Sequence, residues 1–246
     1  MKQRIVNVIK QSPVLYRCAS KLYWALRPMH LAELLMGTKA REKHWAKRQI
    51  AESYWANRDK PSKYFLTERI AAFAPIDSIL EVGCASGPSL YLPAKKFPQA
   101  KIVGIDVNAE AIQYGNMQFG KEGISNVKLM VGKADELGEF RNGAFDIVFT
   151  NALLIFVGPD KIKGVIHEII RITNKALVLM ELHCFEPSGK DPSGLSVYHG
   201  GNWTRDYVAL LKQFVSEERV RVTKIPEGVW PAQPWDKWGA VIEVIL

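Results

Sequence analysis

Cysteine is scarce in this 246-residue chain: three are present, at Cys18, Cys84 and Cys184, and none forms a Cys-x-x-Cys pair. That excludes a disulfide framework and a cysteine-built zinc site and points to a reducing, cytoplasmic setting. Long apolar runs are missing as well. The longest mostly apolar stretch, residues 144–158, contains Asp146, Thr150 and Asn151 and falls short of the ~18 residues a membrane-spanning helix needs. At the N-terminus the apolar run Ile5 to Ile9 is broken by Asn7 and stopped by Lys10, too short for the core of a secretion signal. Internal repeats and low-complexity tracts are absent.

What is present suits a folded enzyme. Hydrophobic residues make up 48% of the chain, enough to bury a substantial core at this length. The charge is uneven. Residues 1–50 carry eleven Lys and Arg against Glu33 and Glu42, a net +9, and the remainder stands at −1. On a helical wheel Ile5, Val8, Ile9, Leu15, Tyr16, Ala19, Leu22, Tyr23 and Leu26 share one face, opposite Lys10, Arg17 and Lys21, the pattern of an amphipathic helical region. Ser12 followed by Pro13 reads as a cap and a first helical position, which divides the region into two helices. A basic arm on a near-neutral body fits an anionic partner, such as a membrane surface reached through residues 1–27. A solvated face, or a stripe packed on protein, is the competing reading.

From about residue 75, β-branched runs alternate with amphipathic segments, as in βαβ units. Strands are expected at 78–82, 101–105, 127–131, 145–149 and 176–180. Helices are expected at 88–97, with Pro93 as a kink, at 109–121 and at 160–172. A turn-rich stretch follows Glu181. Thr204 then reads as the N-cap of a helix running to about Phe214, and 219–225 and 238–245 read as an antiparallel pair. The expected fold is α/β: a Rossmann-like, seven-stranded, mostly parallel sheet with helices on both faces. Residues 1–50 form a helical extension and 51–246 the main domain.

The strongest motif is Ile79-Leu80-Glu81-Val82-Gly83-Cys84-Ala85-Ser86-Gly87, an apolar strand ending in an acid and entering a glycine-spaced turn that lets a ligand approach the backbone. A second strand, Lys101 to Ile105, ends in Asp106, 19 residues after Gly87. A carboxylate there can accept hydrogen bonds from both hydroxyls of a ribose. These two motifs resemble those of the class I methyltransferase family, whose first motif is an acid, an apolar residue and Gly-x-Gly-x-Gly, with Ala85 in place of the middle glycine. The competing cofactor is NAD, but its Gly-x-Gly-x-x-Gly fingerprint counted from Gly83 meets Ala85 and Pro88, so two of three positions fail.

The resemblance implies S-adenosylmethionine as cofactor, with Glu81, Gly83, Cys84, Ala85 and Gly87 around its methionine portion. It implies Asp106 on the ribose, Val107 against the adenine, Ala134 meeting the adenine through its N–H, and Asn151 facing the cofactor from the end of the fourth strand. Asn108 caps the following helix. Lys133 stands where relatives often carry an acid, with Asp135 nearby, and Ile155-Phe156 replaces a Glu-His pair. Catalytic candidates are therefore thin. Glu181 and His183, just past the fifth strand, are the best placed to help an alcohol nucleophile. No metal site is expected. Trp203 to Tyr207 and the loop holding Trp230, Pro231, Pro234, Trp235 and Trp238 are aromatic enough to wall a pocket, and Tyr54-Trp55-Ala56-Asn57-Arg58 resembles a segment that closes over the cofactor in relatives. The reading is methyl transfer to a small-molecule, glycan or lipid-linked acceptor at oxygen, in the cytoplasm or at a membrane. A non-catalytic cofactor-binding protein is the alternative. A nucleic-acid methyltransferase is disfavoured by the missing Asn/Asp-Pro-Pro-aromatic signature.

Overall fold

The computed structural model describes residues 37–186, 196–199, 201–231 and 234–246; the amphipathic stripe from Ile5 to Leu26 lies outside them. Five parallel strands form most of a seven-stranded sheet: β1 (Ser78–Val82), β2 (Lys101–Asp106), β3 (Val127–Val131), β4 (Phe145–Asn151) and β5 (Thr173–Leu182). Two further strands, β8 (Val220–Lys224) and β9 (Gly239–Ile245), complete the order β3-β2-β1-β4-β5-β9-β8, with β9 antiparallel to both neighbours. A separate hairpin pairs β6 (Ser196–His199) with β7 (Asn202–Arg205).

Successive residues of the central strands point to opposite faces, and each face has its own core. Ile79, Ile147 and Phe149 pack with Leu66 and Ile70 of the helix Pro61–Ala71 and with Leu90 and Phe119. Leu80, Val82 and Val148 pack with Val165, Ile166 and Ile169 of the helix Ile162–Arg171. That helix buries Ile162, Val165, Ile166 and Ile169, the i, i+3, i+4, i+7 stripe of a half-buried helix. Away from the strand ends that build the site, Arg69 forms a bidentate ion pair with the buried Glu243 of β9.

Two expectations need correction. Thr204 is not a helix cap: it is buried in β7 opposite Val197. Asp206 caps instead, its carboxylate accepting from the Ala209 N–H at 3.0 Å at the head of the helix Tyr207–Leu211. Pro93 does not kink a long helix, because the helix spans only Tyr91–Lys96 and places Pro93 in the first turn, where a missing N–H breaks no internal bond. Within the expected 1–50 extension, one helix packs against the main domain. Thr38–Ala46, called α1 below, is fastened by hydrogen bonds from the Thr38 N–H and hydroxyl to Asp160 (3.0 and 2.6 Å), by the ion pair of Lys161 with Glu42 (2.6 Å), and by Asn108. Among the described residues no helix is long and apolar enough to cross a membrane.

Candidate functional site

The carboxyl ends of β1, β2 and β4 converge on one cavity of about 400 Å³, within the roughly 300–1,000 Å³ of small-molecule sites. Its floor is the turn after β1. The Gly83 and Cys84 amides both donate to the Ile105 carbonyl, at 2.8 and 3.0 Å, which ties the turn to β2. Gly83 has φ +80°, and a Cβ there would stand 2.7 Å from Leu153, so glycine is required for both conformation and space. Ala85 takes φ +48°, a left-handed conformation that costs a side-chain-bearing residue roughly 1–2 kcal/mol. The strain has a visible return: the Ala85 N–H donates to Asp106 at 2.8 Å.

Asp106 accepts from Ala85 through one oxygen and from the Asn108 N–H through the other at 2.9 Å. Burial raises the pKa of its carboxyl, and the backbone donors Ala85, Asn108 and Val107 oppose that shift. The Asn108 side-chain oxygen caps the helix Ala109–Lys121, accepting from Ala111 at 2.9 Å. Its amide nitrogen donates to the carbonyls of Trp45 and Arg48, each at 2.8 Å. One residue thus joins the β2 end to α1.

A second polar group lies behind the glycine turn. Lys63 donates to the Ser89 hydroxyl at 2.9 Å, Asn151 donates to the same hydroxyl at 3.0 Å, and Ser89 is hydrogen-bonded to Glu81. Lys63 and Glu81 are both buried. Desolvation pushes the Glu81 carboxyl up and the Lys63 ammonium down, while their mutual attraction opposes each shift. The Glu81 Oε2 and Asn151 Oδ1 atoms are buried with no hydrogen-bond partner among the described residues. Unpaired buried acceptors are costly and mark a place where a donor is missing.

Of the nine sequence-expected binding residues, Gly83, Ala85, Asp106, Val107, Ala134 and Asn151 line the cavity. Glu81, Cys84 and Gly87 lie behind its wall. The Cys84 thiol is buried and its pKa pushed up, chiefly by desolvation, and a Cβ on Gly87 would strike Phe119 at 2.7 Å, so both belong to the turn's packing. Glu181 and His183 also stand outside the cavity. Glu181 is fully buried and accepts four hydrogen bonds, from Thr150, Leu153, Leu154 and Ile155. His183 accepts the Tyr207 N–H through Nδ1 at 3.3 Å and stacks on the Tyr207 ring. Burial lowers its pKa.

Sequence reasoning missed the wall formed by α1. Thr38, Arg41, Glu42 and Trp45 all line the cavity, and the Trp45 ring lies 4.7 Å from Phe156 and 6.5 Å from Tyr54. The available signal was aromatic spacing, Trp45 followed by Tyr54 and Trp55, masked by a run of basic residues. The aromatic loop does contribute, since Trp230, Pro234 and Trp235 line the cavity and the two indoles stack at 3.8 Å.

A family model described as a methyltransferase domain matches residues 79–176, the stretch from β1 into β5 that carries the glycine turn, Asp106 and Asn151. The matched stretch is thus similar to a methyltransferase domain. Similar proteins include the trans-aconitate 2-methyltransferase of Deinococcus radiodurans, 29% identical over 86 residues, covering 35% of this chain and 30% of the relative. The malonyl-[acyl-carrier protein] O-methyltransferase of Priestia megaterium is 32% identical over 75 residues, covering 30% and 26%. The chain thus spans less than a third of the length of these curated relatives. A SAM-dependent methyltransferase from Aquifex aeolicus shares the fold, with a TM-score of 0.53 at 18% identity over 78% of this chain and 97% of that one.

Proposed function

We propose that this methyltransferase domain transfers a methyl group from S-adenosylmethionine to an oxygen of a small-molecule, glycan or lipid-linked acceptor. The observation that carries the reading is the pair of orphaned acceptors, Glu81 Oε2 and Asn151 Oδ1, beside a glycine turn whose neighbour is Asp106. An ammonium donor in the cavity answers Asn151, with Glu81 behind it, and a pair of ribose hydroxyls answers Asp106; S-adenosylmethionine carries both. The residues present therefore fit this cofactor. Ala134 and Val107 line the same cavity and would meet the adenine.

When bound, the cofactor supplies an electrophilic methyl group on a sulfonium. The chain's own task is to hold an acceptor in line with it and to keep water out. Trp45, Tyr54, Phe156, Trp230 and Trp235 form a largely apolar wall suited to that exclusion. An oxygen acceptor agrees with the name of the Priestia relative, an O-methyltransferase. The carboxylates Glu42 and Asp135 on the cavity wall are both held by Lys161, at 2.6 and 2.7 Å.

Calorimetric titration tests the reading. The demethylated product S-adenosylhomocysteine should bind and NAD should not. Asp106→Ala should weaken the product roughly tenfold or more, since hydrogen bonds to a charged group contribute about 1.5–3 kcal/mol each. Tighter binding of NAD, or unchanged affinity in a cooperatively folded Asp106→Ala protein, would overturn the assignment.

A further inference from the structure

After β4 the chain turns through Ala152, at φ +59°, into a single 3-10 turn, Leu154–Phe156. So short a turn satisfies few of its own backbone groups. The N–H groups of Leu153, Leu154 and Ile155 donate to the Glu181 carboxylate at 3.0, 3.1 and 3.3 Å, and the Thr150 hydroxyl joins them at 2.7 Å. From the other end, the Arg205 guanidinium donates to the Leu154 carbonyl at 2.5 Å and to the Val157 carbonyl. Glu181 is 0% exposed and Arg205 1%. They come from the ends of β5 and β7, which are joined by a backbone bridge between His183 and Arg205.

The negative charge sits where amide hydrogens converge and the positive charge where carbonyls do, so each answers the partial charge of its end of the turn. The gripped segment matters to the cavity because Leu153, Ile155, Phe156 and Val157 all line it. Leu153 abuts the glycine turn at Gly83, and Phe156 meets Trp45 of α1. We propose that Glu181 and Arg205 are positioning residues that grip the 153–157 turn from its two polar ends and thereby fix the cavity wall between the glycine turn and α1. The ligand readout rests on the cofactor proposed above; the grip itself does not.

The experiment uses the full chain at pH 8 with Glu181→Gln, Arg205→Lys, the double variant, and Glu243→Gln as a control that loses a buried ion pair away from the cavity. Glu181→Gln and Arg205→Lys should each weaken S-adenosylhomocysteine binding tenfold or more. The double variant should lose little beyond either single one, because both act through one turn. Glu243→Gln should stay within twofold of the natural chain while losing stability, a loss that a purely structural role would share without the change in affinity. Amide hydrogen exchange at Leu153, Leu154 and Ile155 should accelerate at least tenfold in Glu181→Gln relative to the β5 core. Affinities within twofold for both single variants, or unaltered exchange at those amides, would overturn the proposal. If the natural chain fails to bind S-adenosylhomocysteine, the cofactor assignment falls and the exchange rates alone decide the grip. If Glu181→Gln does not fold, Arg205→Lys carries both measurements.

Discussion

Burial decides the charge state of the acids around this site, and Glu181 shows how. Desolvation raises its carboxyl to about 7, against the hydrogen bonds from Leu154, Thr150, Leu153 and Ile155 that favour the ionised form. Its charge acts on two neighbours, raising the Arg205 guanidinium against the effect of burial and pushing the Tyr207 phenol further up. Because the folded-state pKa lies above the ordinary value of 4.5, the folded protein holds a proton that the unfolded chain has already released between the two. Its contribution to stability is therefore complete below about 4.5 and is lost as pH rises to about 7. Urea unfolding measured across that window should show stability falling with pH, and Glu181→Gln should flatten the slope. Glu81 is raised by burial too and adds a slope of the same sign, so some dependence should persist in the variant. An unchanged slope in Glu181→Gln would mean that this carboxyl titrates normally.

At the scale of elements, α1 is the part of the site with the least support of its own. It carries Lys43 and His44 in its last turn, has no acid in its first and no side-chain cap, and is held across the cavity by Asp160, Lys161 and Asn108. Asn108 does two jobs that a substitution can separate. In Asn108→Asp the capping oxygen remains but the donor to Trp45 and Arg48 is replaced by an acceptor. Because Asn108 is buried, the carboxylate oxygen now facing two carbonyls should cost about 1–3 kcal/mol or more of thermal stability although the cap is kept. Limited proteolysis between residues 37 and 50 should accelerate severalfold, and Asn108→Ala should lose both properties. Equal cleavage in the natural chain and Asn108→Asp would show that Asn108 does not hold α1.

The same contrast explains what could be read from sequence. Ala109–Lys121 is legible to the residue because Asn108 and the apolar period are local signals, and the glycine turn with Asp106 is legible because backbone conformation dictates residue type there. The seven-stranded sheet follows from strand period and spacing. The helical character of α1 is expected, but its place on the cavity wall is not legible, since its fastening comes from residues more than sixty positions away. Glu181 could be placed at a strand end but not assigned a role, because sequence does not reveal whether a carboxylate faces a cavity or the backbone amides of a neighbouring turn.

The described residues form two cores on either side of the seven-stranded sheet, with the cavity at its carboxyl edge, and the chain's charge is strongly uneven. The +9 of residues 1–50 extends through α1, where Lys39, Arg41 and Lys43 belong to the same helix as the cavity-lining Trp45. Anything that binds the preceding residues thus acts on a segment one helix away from the site. We propose an anionic membrane surface as that partner, through residues 1–27. Each Lys or Arg near such a surface contributes about 1 kcal/mol, and buried apolar side chains add to it. Sedimentation with liposomes should show binding that rises with the fraction of anionic lipid, falls with salt, and disappears when residues 1–27 are removed. The truncated protein should still unfold cooperatively and still bind S-adenosylhomocysteine, because the fastening of α1 to Asp160, Lys161 and Asn108 begins at Thr38. If the intact protein ignores liposomes and the truncated one loses its fold or changes its oligomeric state, the stripe from Ile5 to Leu26 packs on protein and the acceptor has no reason to be a lipid.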